Sequence, residues 1–211
     1  MDLREQMDKI YRDIPLENIP WNMSEPPRLL VEAVQTGKIK PCKAVDLGCG
    51  AGNYSVWLAG WGFDVTGIDF SPQAIAHANE LAAHKGVLCR FVAADLLGDL
   101  KEYHEVFDLA YDWELLHHIF PDNRPGYIKN VHSLLRPGGV YLSLCFSDKD
   151  TSFGGRDKFR TTNLGTVLYF SSEQELRELY APRFDILELS TVESPGKYGS
   201  HMVNIAWMRA R

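Results

Sequence analysis

The sequence predicts an α/β domain built on a doubly wound, mostly parallel seven-stranded sheet, with one antiparallel strand in a C-terminal hairpin. Three observations predict it. Short apolar runs alternate with stretches of helical period from Lys43 to Phe146, the pattern of parallel strands joined by crossover helices. Gly48, Gly50 and Gly52 follow the first run and precede a helical stretch, and glycines suit the sharp turn from strand to helix. Two final runs, Phe184 to Val192 and His201 to Met208, are separated only by a short turn around Pro195-Gly196. That is too short for the crossover a parallel pair requires, so they form a hairpin.

At 211 residues the chain has room for one such domain with a sizeable core. The formal charge of −6 comes from 28 acidic against 22 basic residues, with no basic stripe, which argues against a nucleic-acid partner. The four cysteines, Cys42, Cys49, Cys89 and Cys145, have no paired spacing, and Met1-Asp-Leu-Arg-Glu5 lacks the basic start of a secretory signal. A cytoplasmic location with free thiols is expected. No apolar run suffices to span a bilayer, so no membrane partner is expected. Monomer and homodimer both stay open.

Residues 2–14 place Leu3, Met7, Ile10 and Ile14 at helical spacing. Four prolines between Ile14 and Pro27 then forbid regular structure and bracket Trp21 in an extended segment. Residues 1–25 thus form an arm ahead of a domain spanning 26–211. Pro26-Pro27 can open a helix before the first strand.

That strand ends in Asp46-Leu-Gly-Cys-Gly-Ala-Gly52, and the next one ends in Asp64-Val-Thr-Gly-Ile-Asp69. A dinucleotide fingerprint needs a glycine at the position of Asn53, and Asp46 would repel a pyrophosphate while attracting an ammonium group. Asp69 stands about 20 residues after the loop, where a carboxylate can take both ribose hydroxyls. These features describe a ligand with an amino acid at one end and a ribose at the other. Ser71 as cap and Pro72 at the first helical position open the next helix, to about Lys85, and hold Asp69 and Phe70 in place. The third strand, Leu88 to Ala94, delivers Asp95 to the same sheet edge.

Asp46 to Gly52, Asp69 and Asp95-Leu96 together resemble the cofactor site of the class I S-adenosylmethionine-dependent methyltransferases, a Rossmann-like family. The resemblance covers roughly residues 26–211. It implies S-adenosylmethionine as cofactor, S-adenosylhomocysteine as product, and methyl transfer to a small molecule such as a thiol, halide or oxyanion. It also implies cofactor contacts from Asp46, Gly48, Cys49, Gly50, Asn53, Asp69, Phe70, Asp95, Leu96 and Asp112. The proline-rich arm resembles that of the thiopurine and halide methyltransferase branch, where the arm folds over the cofactor. Trp21 is then either part of a lid or a cover for apolar surface.

The fourth strand, Phe107 to Trp113, lacks the Pro-Pro-aromatic signature of adenine and glutamine amino-methyltransferases, and its end implies that Trp113 faces the acceptor. Leu115-Leu-His-His-Ile119 resembles a segment common in small-molecule methyltransferases. His117 and His118, adjacent on a helical turn, cannot jointly ligate one metal. His118 is a candidate general base or a packed imidazole. Arg136-Pro-Gly-Gly139 reads as a helix stop before the fifth strand, Val140 to Phe146. Residues 147–170 carry aromatics with Arg156, Lys158 and Arg160 and no strong period, the composition of either a substrate cover or a solvated loop. Ser172 and Glu175 form a capping box for a helix to about Leu179. Two other classes remain open: an NAD-type oxidoreductase, opposed by Asn53 and Asp46, and an S-adenosylmethionine-binding protein without catalysis.

Overall fold

The computed structural model describes residues 2–211. Seven strands form one sheet in the order β3-β2-β1-β4-β5-β9-β8, and a separate two-stranded sheet pairs β6 with β7. The chain divides into two compact units, one ending at Asp95 and the other spanning Leu96–Arg211.

The first unit contains α1 (Leu3–Asp13), α2 (Arg28–Gln35), β1 (Lys43–Leu47), α3 (Asn53–Gly60), β2 (Asp64–Asp69), α4 (Pro72–Lys85) and β3 (Cys89–Ala93). β1 pairs with β2 from Lys43↔Asp64 to Leu47↔Ile68, and β2 with β3 from Val65↔Cys89 to Asp69↔Ala93, all parallel. Parallel pairing in this register brings the glycine loop, Asp69 and Asp95 out at one edge. Ala44, Val45, Leu47 and Ile68 are wholly buried in the strands behind them. α4 is bounded as its sequence requires: the Ser71 hydroxyl accepts from the Ala74 N–H, Pro72 starts the helix, and Gly86 ends it at φ +65°. In α1 the buried residues are Ile10 and Tyr11. Leu3, Met7 and Ile14 stay partly exposed, while Tyr11, off the expected stripe, is almost fully covered.

The second unit contains β4 (Phe107–Trp113), α5 (Arg124–Leu134), β5 (Leu135–Phe146), β6 (Phe159–Thr161), β7 (Val167–Tyr169), α6 (Glu173–Tyr180), β8 (Phe184–Gly196) and β9 (Gly199–Ala210). β4 and β5 are parallel, and β9 runs antiparallel to both β5 and β8, giving the single reversed strand expected. The capping box at Ser172 and Glu175 is present. Three expectations are corrected. The final hairpin is longer, and turns at Lys197-Tyr198 rather than Pro195-Gly196; Pro195 is tolerated because β8 is an edge strand. Arg136-Pro-Gly-Gly139 is a bulge inside β5, not a helix stop: pairing passes from Phe107↔Leu135 to Leu109↔Val140, with Gly138 at φ +78°. Residues 147–170 are not irregular throughout, since β6 and β7 form a hairpin turned at Gly165, φ +77°. Strands of three residues are too short to show a period. Among the described residues no helix is long and apolar enough to cross a membrane.

Candidate functional site

In the first unit β1 leads into three left-handed glycines, with Gly48, Gly50 and Gly52 at φ +73°, +53° and +80°. The N–H groups of Gly48 and Cys49 donate to the Ile68 carbonyl at 2.8 and 3.1 Å, pinning the loop to β2. A Cβ on Gly50 would lie 2.5 Å from the Tyr11 phenol oxygen, and one on Gly52 2.8 Å from the Ala78 methyl. Dihedral angle and space both demand glycine at these two positions. Asn53 opens α3, and its amide nitrogen donates to the Asn22 Oδ1 of the arm at 2.7 Å.

Asp69 projects beside this loop. Its Oδ2 accepts from the Gly50 N–H at 3.0 Å and its Oδ1 from the Ser71 N–H at 2.9 Å, so the carboxylate is held in one orientation with lone pairs left over. Burial pushes its carboxyl up, against the lowering effect of those N–H groups. Phe70 follows, half-buried at the turn into α4. The Ala94 N–H donates to the Asp69 carbonyl at 2.9 Å, which sets Asp95 beside Asp69; Asp95 itself pairs with Arg4 of α1. Asp46 is buried on β1 and accepts from the Ser55 hydroxyl at 2.6 Å. Burial, then the fields of Asp46 and Asp69, push the Cys49 thiol well up, so it stays protonated and is no nucleophile.

The arm lies against this apparatus. Trp21 Nε1 donates to the Tyr11 hydroxyl at 2.9 Å, and that hydroxyl stands over Gly50. Asp8 Oδ1 accepts from the Ser71 hydroxyl at 2.8 Å and the Gln73 N–H at 3.1 Å, so α1 supplies a second cap to α4. Burial raises the Tyr11 phenol, and Asp69 and Asp46 raise it further, so it remains a neutral donor. Tyr11, Asp8 and Arg4 were not singled out by sequence; the one available signal was an aromatic beside the apolar stripe of α1. With three carboxylates around a glycine loop, the site fits a ligand carrying positive charge and vicinal hydroxyls. It opposes a pyrophosphate.

In the second unit Leu96 is buried and its carbonyl accepts from Asn130 at 2.9 Å. Asp112 is wholly buried on β4; Tyr127 and Ser143 donate to it at 2.9 Å each, and Tyr141 donates as well. Burial pushes its carboxyl up to about 6 despite these donors. Trp113 ends β4 and is buried. His117 and His118 lie on a single 3-10 turn, Leu116–His118. His117 stacks on Phe146 at 4.5 Å, and burial holds it neutral, helped by His118 and Arg124. Burial pushes His118 down to about 4. Among the described residues no group of three or more His, Cys, Asp or Glu could hold a metal ion.

Lys158 and Arg160 of residues 147–170 prove to be internal ties. Arg160 is buried, stacked 3.8 Å over Phe170, and Lys158 bonds Asp148 at 3.1 Å and Glu175 at 2.6 Å. Each of these two cations already has protein partners.

Comparison with known proteins decides the family. Thiocyanate methyltransferase 1 of Arabidopsis thaliana is 32% identical over 154 residues, which are 72% of this chain and 67% of that protein. The chain belongs to the S-adenosylmethionine-dependent methyltransferases. The family model for a methyltransferase domain matches residues 44–139, from β1 to the bulge in β5. A solved structure described as converting a disulfide bond into a thioacetal group during echinomycin biosynthesis superposes with a TM-score of 0.84 at 26% identity, covering 99% of this chain and 92% of the other. The 1,6-didemethyltoxoflavin-N1-methyltransferase of Burkholderia thailandensis, solved with its substrate and S-adenosylhomocysteine, gives 0.75 at 25% identity over 99% and 87%. This methyltransferase thus takes S-adenosylmethionine as cofactor.

Proposed function

We propose that this methyltransferase holds its cofactor on the first unit and passes the methyl group to a heteroatom of a small acceptor of the thiol, halide or oxyanion kind. The observation that carries the reading is the Asp69 carboxylate, fixed by the Gly50 and Ser71 N–H groups beside a loop that only glycine can form. On this reading Asp69 accepts both ribose hydroxyls and the adenine end meets Phe70 and Asp95. Asp46 faces the amino-acid end, and Gly48, Cys49, Gly50 and Asn53 form its cradle. Leu96 and Asp112, whose polar groups are engaged within the second unit, take structural roles. The acidic balance of the chain supports a small molecule over nucleic acid as the acceptor, and the four free thiols support a cytoplasmic setting.

Bound S-adenosylmethionine supplies an electrophilic methyl group on a sulfonium. What the chain's own residues contribute is alignment and the exclusion of water. Proximity and orientation can supply about 7 to 11 kcal/mol of barrier reduction. Residues 1–25 act as the lid in front of the domain spanning 26–211, with Trp21 and Tyr11 closing over the loop.

The test is to incubate the protein with S-adenosylmethionine and a panel of thiols, phenols, halides, amines and carboxylates, and to measure S-adenosylhomocysteine. S-adenosylhomocysteine alone should raise the melting temperature, because a ligand specific to the native state stabilises it by RT ln(1 + [L]/Kd). NAD should not, and a larger shift with NAD would overturn the reading.

The lid makes a separate prediction. Limited proteolysis between Arg4 and Arg28 should be slowed by S-adenosylhomocysteine, which adds a contact beneath Trp21 and Tyr11. Trp21→Ala should lose turnover with little change in melting temperature. Equal cleavage with and without ligand, together with full turnover in Trp21→Ala, would leave the arm as surface packing.

A further inference from the structure

Where β4 and β5 begin and β9 finishes, the second unit carries a cavity of about 200 Å³. Its walls are the turn ahead of β4, the last turns of α5, the start of β5 and the residues just outside β8 and β9. Lys129, Arg136, Arg183 and Arg211 line it, against one side-chain carboxylate, that of Glu105. This balance is the reverse of the whole chain's, whose formal charge is −6.

Two of these cations have nothing to hold. Among the described residues neither the Lys129 ammonium nor the Arg183 guanidinium makes a hydrogen bond or an ion pair, and Glu105 in the same cavity pairs with neither. Arg136 and Arg211 bond Asp108 at 2.8 Å and Asp185 at 2.6 Å, but both pairs stand about half exposed to water, where an ion pair is weak and yields to a better anion. Cations commonly gather at a helix C-terminus to offset its dipole and its open carbonyls. Here the carbonyls that end α5 are already taken. Those of Ser133 and Leu134 accept from the Glu105 and Val106 N–H groups at 2.9 and 3.1 Å, and that of Asn130 from the Ser133 hydroxyl at 2.7 Å. The backbone under the free guanidinium is fixed as well: the Arg183 N–H donates to the Tyr180 carbonyl at 3.0 Å, and the Arg211 N–H to the Arg183 carbonyl at 3.2 Å.

We propose that this cavity binds a small soluble dianion of the phosphate class, with Arg183 and Lys129 as its principal ligands and Arg136 and Arg211 joining as their surface pairs release. Two unpaired cations match two negative charges, and the guanidinium fork fits phosphate oxygens two at a time. The volume lies below the roughly 300 to 1,000 Å³ of sites for drug-sized ligands. That limits the occupant to a phosphate, a diphosphate or the phosphate end of a small ester. The site belongs to the second unit alone and stands at the opposite end of β4 from Trp113, roughly 20 Å along a strand of this length. It is independent of the methyl-transfer reading, since no part of it needs the cofactor.

The test is calorimetry on the full chain at low ionic strength. The probes are inorganic phosphate, pyrophosphate, glycerol phosphate, succinate and an oligonucleotide without a terminal phosphate. At least one of the three phosphates should bind one to one, raise the melting temperature, and bind more weakly as salt is added. A preference for phosphate or pyrophosphate identifies a free anion and a preference for glycerol phosphate an ester; either upholds the site. Arg183→Ala should weaken binding roughly tenfold, Lys129→Ala several-fold, and the double variant should abolish it while the melting temperature without probe stays at the wild-type value. Arg183→Gln, which keeps most of the stem, replaces the alanine variant should that one fail to fold. Lys85→Ala, which removes an exposed charge of the first unit, should bind as wild type does. No saturable binding of any phosphate, wild-type affinity in the double variant, or an equal loss in Lys85→Ala overturns the proposal. So does tighter binding of succinate, which would make this a carboxylate site, or of the oligonucleotide, which would make it part of an extended polyanion surface. Each of these failures leaves methyl transfer standing.

Discussion

Replacing Asp69 with alanine is expected to weaken S-adenosylhomocysteine binding by roughly 10- to 150-fold, the equivalent of about 1.5 to 3 kcal/mol for hydrogen bonds to a charged acceptor. The size of the effect comes from preorganisation. Each carboxylate oxygen is already held by one backbone N–H, from Gly50 at 3.0 Å and from Ser71 at 2.9 Å, so a ligand hydroxyl meets an acceptor whose orientation costs nothing further. Alanine removes the acceptor and also releases the Gly50 end of the loop. Asp69→Glu should fall between the two, keeping the charge but displacing it by one methylene. The free protein should tolerate the loss at neutral pH. Because burial raises the folded-state value, the stability contributed by the neutral carboxyl is present below the ordinary carboxylate range and is lost as pH rises through the raised value, so the ionised group is a cost there. Calorimetry on folded Asp69→Ala is the measurement, and wild-type affinity would mean that the carboxylate ending β2 does not face the ligand.

The parts of the molecule that sequence revealed are those governed by neighbours along the chain. The glycine loop, the Ser71-Pro72 start and Gly86 stop of α4 and the capping box of α6 all follow from local backbone rules and stand within a residue or two of expectation, and the closing hairpin follows from them too, though its first strand runs four residues further. What stayed hidden depends on distant partners. Tyr11 is buried because the arm brings it over Gly50, 39 positions on, and nothing near Tyr11 announces that. Asp112 looks like a ligand in sequence, yet hydroxyls from α5 and β5 close around it. Arg136-Pro-Gly-Gly139 has the composition of a helix stop, but α5 has already ended at Leu134 and the same residues serve as a bulge. Glu114, just after β4, gives no hint of its left-handed backbone at φ +65°, since only glycine, asparagine and aspartate signal one by their chemistry. Charge is legible in a sequence; what satisfies the charge is not.

Arg160 makes the last point measurable, because a residue that reads as a free cation is among the most deeply tied in the second unit. Its side chain is 1% exposed. Nε donates to the Asp157 carbonyl at 2.8 Å, and Nη1 to those of Asp150 and Ser152 at 2.7 and 3.2 Å. The guanidinium lies 3.8 Å above the Phe170 ring and 4.0 Å from the buried Asp150 carboxylate, which also accepts from the N–H groups of Ser152 and Met202 at 2.7 Å each. Arg160→Met keeps the apolar stem but strands three carbonyls and removes one positive neighbour of Asp150, which keeps His201 at 3.5 Å. The expected cost is about 3 to 5 kcal/mol, the range for a buried pair broken on one side. At about 2 to 4 °C per kcal/mol for a chain of this size, the melting temperature should fall by roughly 10 °C. Arg160→Lys should recover only part of it, since an ammonium restores the charge but cannot reproduce the planar fork that reaches three carbonyls at once. Thermal and denaturant unfolding of the three proteins will decide. A methionine variant as stable as wild type would mean that residues 147–170 are not pinned to the unit by this side chain, and would return Arg160 to the pool of cations free to meet an acceptor.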